Sequence, residues 1–153
     1  MELEGLKKRD FSKNSKGIYN EYSLLEQLVQ ELQNRELPPE VVVELNDEIV
    51  RLNEVLDQHL KLHFYTRLVK NKVLKTLIND LEIVPKNYYR NLWLAIGMSV
   101  IGLPLGIILS TILGSISFVA LGLPIGLTIG VFIGTEMDKK ALENNKQLEI
   151  EMN

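Results

Sequence analysis

The sequence predicts an all-α fold in which a cytoplasmic antiparallel helical or coiled-coil region is followed by a transmembrane helical hairpin. Apolar residues recur at helical spacing in the first half, and no charged residue occurs between Asn91 and Thr135. A bilayer core about 30 Å thick takes about 20 helical residues, so this uncharged stretch has room for two crossings and a tight turn. The predicted organisation is a flexible N-terminal segment (1–16), a cytoplasmic helical region (17–84), a two-helix transmembrane hairpin (85–136) and a cytoplasmic C-terminal tail (137–153).

The overall composition conceals this division. The 153 residues are 46% hydrophobic and 24% charged with a net charge of −3, values typical of a soluble protein. The chain has no cysteine, which excludes disulfides and thiolate metal sites. Its net negative charge, without a basic surface interleaved with aromatic residues, argues against a nucleic-acid partner.

Two apolar seams predict the helices of the cytoplasmic region. Steps of four and three connect the residues of the first seam, which are Ile18, Tyr22, Leu25, Val29 and Leu32. After Pro38 and Pro39 the spacing resumes in a second seam, which comprises Val42, Leu45, Ile49, Leu52 and Leu56. Such spacing places each set on one helix face, so we expect the two helices to pair as an antiparallel hairpin or coiled coil.

The second seam predicts one long helix. It continues by steps of four through Leu60, Phe64 and Leu68 and then on to Val73, Leu77 and Leu81, which gives a helix of roughly 40 residues. Its distal half is acidic, and the half nearest the hairpin carries five cations, which are Lys61, Arg67, Lys70, Lys72 and Lys75. We interpret the cationic half as an electrostatic fit to the anionic inner leaflet.

The flanking charges predict the orientation of the hairpin. Lysine and arginine residues precede the first crossing and follow the second, whereas the turn around Gly114 and Ser115 is uncharged. Because cationic loops stay on the cytoplasmic side, both termini are expected in the cytoplasm and the protein in the inner (plasma) membrane.

Small residues at every fourth position mark each crossing. Together with one proline in each helix they form the candidate helix-packing or pore-lining set, which is Gly102, Pro104, Gly106, Ser110, Gly114, Gly122, Pro124, Gly126, Gly130 and Gly134. The two stripes either pack against each other within one hairpin or also pack between subunits in a ring or bundle. Pro104 and Pro124 each remove an amide donor near the bilayer midplane. They either mark a conduction site or are accommodated by neighbouring helices and hydroxyls such as those of Ser99 and Thr128.

Catalytic candidates are few. His59 and His63 are four residues apart, a spacing that can seat a metal ion, but the glutamate of a zinc hydrolase helix is missing between them. A pH-sensitive contact and a solvated surface are the alternatives for this pair. We assign no catalytic, cofactor-binding or metal-binding residue and expect the protein not to be an enzyme.

The second glycine stripe carries a family resemblance. Glycines at every fourth position from Gly122 to Gly134, followed by Met137-Asp138-Lys139-Lys140, resemble the small bacterial glycine-zipper proteins with two transmembrane helices. The resemblance covers only the last third of the chain, and it implies self-association.

Three functions are compatible with these patterns. The first is a homo-oligomeric membrane assembly whose hairpins form a pore or permeabilise the membrane under control of the cytoplasmic helices. The second is a membrane-anchored coiled-coil scaffold that recruits a soluble partner through residues 18–81. The third is an accessory subunit of a larger transporter or enzyme complex.

Overall fold

The computed structural model describes residues 2–9, 11, 16–56 and 59–152, and in this part of the chain the predicted all-α fold is confirmed. The α-helices are α1 (Lys16–Gln33), α2 (Pro39–Glu54), α3 (His59–Asp80), α4 (Tyr88–Ile96), α5 (Leu103–Leu113) and α6 (Val119–Glu143). A π-helical segment (Gly97–Gly102) joins α4 to α5, and a short 3-10 turn (Ile116–Phe118) precedes α6. The chain divides into two compact units, unit 1 (Met1–Ile83) and unit 2 (Val84–Asn153).

Unit 1 is a three-helix assembly with an aliphatic core. Helix α3 packs against both α1 and α2. The fully buried side chains include Leu25, Leu28 and Leu32 of α1, Leu45, Ile49 and Leu52 of α2, and Val69, Val73 and Leu77 of α3. Both predicted seams therefore face the core as far as Leu52. The predicted coiled-coil pairing of α1 with α2 is unconfirmed, because the close helix contacts within unit 1 are those of α3 with each of them.

The predicted 40-residue helix is wrong. Helix α2 ends at Glu54, and Val55 has an extended backbone with φ −64° and ψ 129°. In α3 the first part of the expected seam is exposed, since Leu60 is 90% and Phe64 is 62% accessible, whereas its later members Val73 and Leu77 are buried. A break in the helix shifts the angular phase, so steps of four counted across it lead to the exposed face, and the step of five from Leu68 to Val73 returns the pattern to the buried face.

The N-terminal segment was expected to be flexible, but residues 2–9 are hydrogen-bonded to α1 and α2. The rest of that predicted segment lies largely outside the described residues. This segment has no regular secondary structure, and side-chain amides bind its main chain.

Unit 2 is a helical hairpin closed at its base. The α4–π–α5 arm packs along α6, and Gly114 adopts φ +69° in the turn, a conformation that favours glycine. The predicted tail does not leave the unit, because the backbone amides of Val84 and Lys86 donate to the carbonyls of Lys146 and Ile150 at 2.9 and 3.0 Å. Leu148 is only 1% accessible beside them.

Two helical stretches of unit 2 have the length and apolarity needed to cross a bilayer. They are Tyr88–Leu113 and Ile116–Glu143, and their most apolar 18-residue windows have mean hydropathies of 2.2 and 2.3. Only 17% of the residues in each apolar window are buried.

Candidate functional sites: the glycine contact and the N-terminal groove

The buried residues of the hairpin are almost all glycines. Its buried positions between residues 97 and 134 are Gly97, Gly102, Gly106, Gly122, Gly126, Gly130 and Gly134. Large aliphatic and aromatic side chains cover the outside, including Ile107, Ile112 and Ile116 with accessibilities of 58%, 74% and 83%. This distribution is the reverse of a soluble core, in which large apolar side chains are buried.

The two helices meet backbone to backbone along the whole contact. A β-carbon added at Gly102 would lie 2.9 Å from the carbonyl oxygen of Gly122, and one added at Gly126 would overlap the carbonyl oxygen of Gly97. At the two ends of the contact, Gly134 meets the backbone of Arg90, and Gly106 meets that of Val119. No flexible side chain fills the space between the helices at these positions, so a substituent could be accommodated only by separating the helices.

Gly97 belongs to this contact, although counting every fourth residue back from Gly102 leads to Met98. The π-helical segment contains both glycines, and its wider turn places residues five apart on the same side. The amide of Leu103 accordingly donates to the carbonyl of Met98, five residues earlier. The five-residue interval from Gly97 to Gly102, followed by a proline two residues later, was the sequence signal for this missed residue.

The remaining candidate residues lie away from the glycine contact. Pro104 lies two residues after the π-helical segment, within the continuous helical stretch Tyr88–Leu113, and Pro124 lies inside α6. Both prolines are exposed, as is Gly114 in the turn, whereas Ser110 is half-buried.

The two hydroxyls that were predicted to accommodate the prolines, those of Ser99 and Thr128, bind carbonyls of their own helices. Ser99 donates to the carbonyl of Ala95 at 2.7 Å, and Thr128 donates to that of Pro124 at 2.8 Å. Each hydroxyl is thus hydrogen-bonded to its own helix, one turn earlier.

A buried carboxylate fixes the open end of the hairpin. Asp138 of α6 is 7% accessible, and its two oxygens accept the amides of Tyr89 and Arg90 at 3.0 and 2.9 Å. Asn87 precedes α4 with φ +62° and makes no side-chain capping bond, so Asp138 satisfies the first-turn donors from the other helix. Residue spacing does not reveal this role of Asp138, because the amide of Tyr89 that it accepts lies 49 positions away.

Two asparagines of α2, Asn46 and Asn53, hold the N-terminal segment against this helix. Asn46 accepts the amide of Glu4 at 2.8 Å and donates to the carbonyl of Glu2 at 3.1 Å. Asn53 repeats this arrangement, accepting from Lys7 at 2.8 Å and donating to Gly5 at 3.1 Å. Each side-chain amide therefore binds one amide and one carbonyl of the main chain of the segment.

Helix α1 contributes the second wall of this site. Gln33 donates to the carbonyl of Leu3 at 2.9 Å, and the Tyr22 hydroxyl donates to that of Lys7 at 2.6 Å. Arg9 reaches α2 and donates to the carbonyl of Leu52 at 2.9 Å. We call the surface formed by Tyr22, Gln33, Asn46, Asn53 and the Leu52 carbonyl the N-terminal groove.

Two of the five cations predicted to face the lipid form ion pairs within unit 1. The buried Lys70 forms an ion pair with Glu21, and Lys72 pairs with Glu48 at 2.7 Å. Lys61, Arg67 and Lys75 are exposed, so the lipid interaction expected of five cations is left to these three residues.

Of the two histidines that could seat a metal ion, the structure describes the side chain of His63 alone. His63 is half-buried, and the side chain of His59 lies outside the described part of the chain. Within that part, no cluster of three or more histidine, cysteine, aspartate or glutamate residues is arranged to hold a metal ion.

The chain matches no protein-family model, and neither a curated protein sequence nor a solved structure shows significant similarity to it. The resemblance to glycine-zipper proteins therefore stays a prediction. The function of the hairpin and of the groove has to be argued from their own geometry.

Proposed function

We propose that this protein is a two-pass membrane protein whose glycine-packed hairpin anchors unit 1 at the cytoplasmic face of the membrane, where unit 1 recruits a soluble protein. The observation that carries the proposal is the reversed packing of unit 2, with glycine inside and large apolar side chains outside. In water this arrangement would be unfavourable, because each exposed leucine or isoleucine forfeits about 1.5–3 kcal/mol of burial. In lipid it costs nothing, and close approach of glycine backbones becomes the main source of helix association.

The glycine contact also favours an anchor over a channel. Each buried glycine of one arm faces backbone of the other arm of the same chain. The stripes are therefore occupied within one hairpin and do not need a second subunit to cover them. A hairpin that is complete in itself is suited to hold another unit at the membrane.

Unit 1 supports the second half of the proposal. It has its own aliphatic core, formed by residues from all three of its helices. It also exposes large apolar side chains on α3, notably Leu60 and Phe64. Exposed apolar residues grouped on one helix face are typical of surfaces that contact another macromolecule.

Cysteine labelling in intact cells tests the anchor and its orientation, and the natural chain has no cysteine to interfere. A single Ser115→Cys variant, at an exposed residue of the turn, should react with a membrane-impermeant maleimide added from outside. The matched Lys140→Cys variant, exposed near the end of α6, should react only after the membrane is opened. Labelling of Lys140→Cys from outside, or recovery of the protein in the soluble fraction, would refute the proposal.

An oligomeric pore is the second candidate, favoured by the π-helical segment and the two exposed prolines. Irregular backbone at membrane depth occurs where it is buried in protein or lines a cavity, and Pro104 and Pro124 both lie on surfaces left open by the hairpin contact. Reconstituted liposomes should then show ion flux that Pro104→Ala changes and the adjacent Leu103→Ile does not. A monomeric mass for the detergent-extracted particle would exclude this pore.

A further inference from the structure

We propose that the N-terminal groove is a peptide-binding site, that residues 2–9 occupy it as an internal ligand, and that a soluble partner protein binds by inserting an extended segment in their place. This inference rests on the proposed function, since it names the site through which unit 1 recruits its partner. The occupant it requires is an extended peptide with a leucine and, six residues later, an arginine, the pattern of Leu3 and Arg9.

The register of the groove fits an extended chain. Asn46 and Asn53 are seven residues apart, which is about 10.5 Å along a helix with a rise of 1.5 Å per residue. The amides they bind, those of Glu4 and Lys7, are three residues apart, which is one turn, or about 9.3 Å, of an extended chain of the polyproline II type. Because the two spacings agree, successive asparagines meet equivalent points of the peptide backbone.

The bonds formed by the asparagines do not depend on the ligand sequence. Each asparagine binds one amide and one carbonyl of the main chain, groups that nearly every residue offers. Main-chain recognition of an extended segment supplies affinity, and pockets for selected side chains supply specificity. Other segments with the same backbone conformation can therefore make these bonds.

Specificity comes from the two ends of the segment. Leu3 is the buried residue of this stretch, at 8% accessibility, and its carbonyl accepts from Gln33. At the other end, Arg9 donates to the carbonyls of Leu52 and Asn53 at the end of α2, and its guanidinium lies 5.9 Å from the centre of the Tyr22 ring. A cation is favoured there because the carbonyl end of a helix is electronegative.

The bound segment is suited to displacement. Glu2, Glu4, Gly5, Lys7 and Lys8 are all exposed. Its asparagine bonds lie at the surface, where water can replace them. A tethered occupant has a high effective concentration, so it raises the concentration of free partner needed for binding.

Fluorescence anisotropy with full-length protein in detergent tests the proposal. The probe is a labelled peptide with the sequence of residues 2–11, Glu-Leu-Glu-Gly-Leu-Lys-Lys-Arg-Asp-Phe. The Leu3→Asp variant, whose own segment is weakened while the groove is unchanged, should bind the probe at least tenfold more tightly than the natural chain. Adding Asn46→Ala and Asn53→Ala to this variant should abolish binding, whereas adding Asn71→Ala, at an exposed asparagine of α3, should leave it unchanged.

A cross-link provides an independent measurement. A β-carbon at Gly5 would lie 3.8 Å from the side-chain nitrogen of Gln33, so Gly5→Cys and Gln33→Cys can be joined by a short cleavable linker. The joined protein should not bind the probe, and cleavage of the linker should restore the binding of the uncross-linked double variant. Arg9→Ala, which frees the other end of the segment, replaces Leu3→Asp if the latter loses helix content.

The result that would overturn the proposal is absence of probe binding to a variant that has a released segment and natural helix content. Equal binding by the Asn46→Ala/Asn53→Ala protein would overturn it as well, because the groove would then not be the site. Neither result depends on membrane topology, so failure here is distinguishable from failure of the anchor, which cysteine labelling measures.

Discussion

The two units of this protein bury opposite kinds of residue. Unit 1 buries leucine, isoleucine and valine and exposes much of its charge, whereas residues 97–134 of unit 2 bury glycine and expose isoleucine, leucine and phenylalanine. Both are built from α-helices, so helix formation does not account for the difference. The comparison indicates that the two units are surrounded by different solvents. Water drives the large apolar side chains of unit 1 together, whereas lipid leaves close contact between backbones as the stabilising interaction in unit 2.

The largest expected effect is at the centre of the glycine contact. In Gly126→Leu the new side chain would collide with the backbone of Gly97 and Gly102. Overpacking typically costs about 1–3 kcal/mol, and we expect about 3 kcal/mol or more here because whole helices and not side chains must move apart. Unfolding of the full chain in mixed detergent micelles measures the change, and Ile125→Leu, at an exposed neighbouring residue, is the control. Equal stability of the two variants would show that the helices do not meet through these glycines.

Unit 1 should respond to the opposite change, the removal of side-chain volume. Ile49→Ala empties a fully buried site in the aliphatic core and should lower the free energy of unfolding by about 2–5 kcal/mol. The adjacent Val50→Ala, 38% exposed, should change it by less than about 0.5 kcal/mol. Urea unfolding followed by circular dichroism measures both, and the contrast fails if Val50→Ala costs as much as Ile49→Ala.

Asp138 provides a smaller effect at the open end of the hairpin. Asp138→Ala leaves the amides of Tyr89 and Arg90 without their acceptor, which should cost about 1–3 kcal/mol. Hydrogen exchange at these two amides should accelerate in Asp138→Ala and stay unchanged in Glu136→Gln, a control at an exposed residue of the same helix. Unchanged exchange in both variants would mean that another group caps α4.

Sequence patterns predicted the helices but not the contacts that depend on exact helical phase. The seams of α1 and α2 were found because one uninterrupted helix keeps a constant angular step, as from Ile18 to Leu32. The phase was lost at Val55, where the helix stops, and at Gly97, where a π turn adds one residue. Both the exposure of Leu60 and the burial of Gly97 follow from these two irregularities.

The groove and the carboxylate cap were not predictable by spacing. Each depends on hydrogen bonds between residues more than 40 positions apart, as from Asn46 to Glu4 and from Asp138 to Tyr89. Asparagine and aspartate on helix surfaces are common and usually solvated. The two asparagines seven residues apart on α2 acquire meaning only when an extended segment lies beside them.

The smallest predicted effect tests which face of α3 meets the core. Leu60→Gln changes a side chain that is 90% exposed and should alter the free energy of unfolding by less than about 0.5 kcal/mol. Val69→Ala truncates a side chain that is 1% exposed and should lower the free energy of unfolding by about 1–3 kcal/mol. Urea unfolding of the two variants decides the matter. If α2 and α3 formed one continuous helix with the seam counted from Val42, Leu60 would lie in the core and the order of the two effects would reverse. A small effect at Leu60 therefore places its apolar side chain on the outer surface of unit 1, free to contact lipid or a partner.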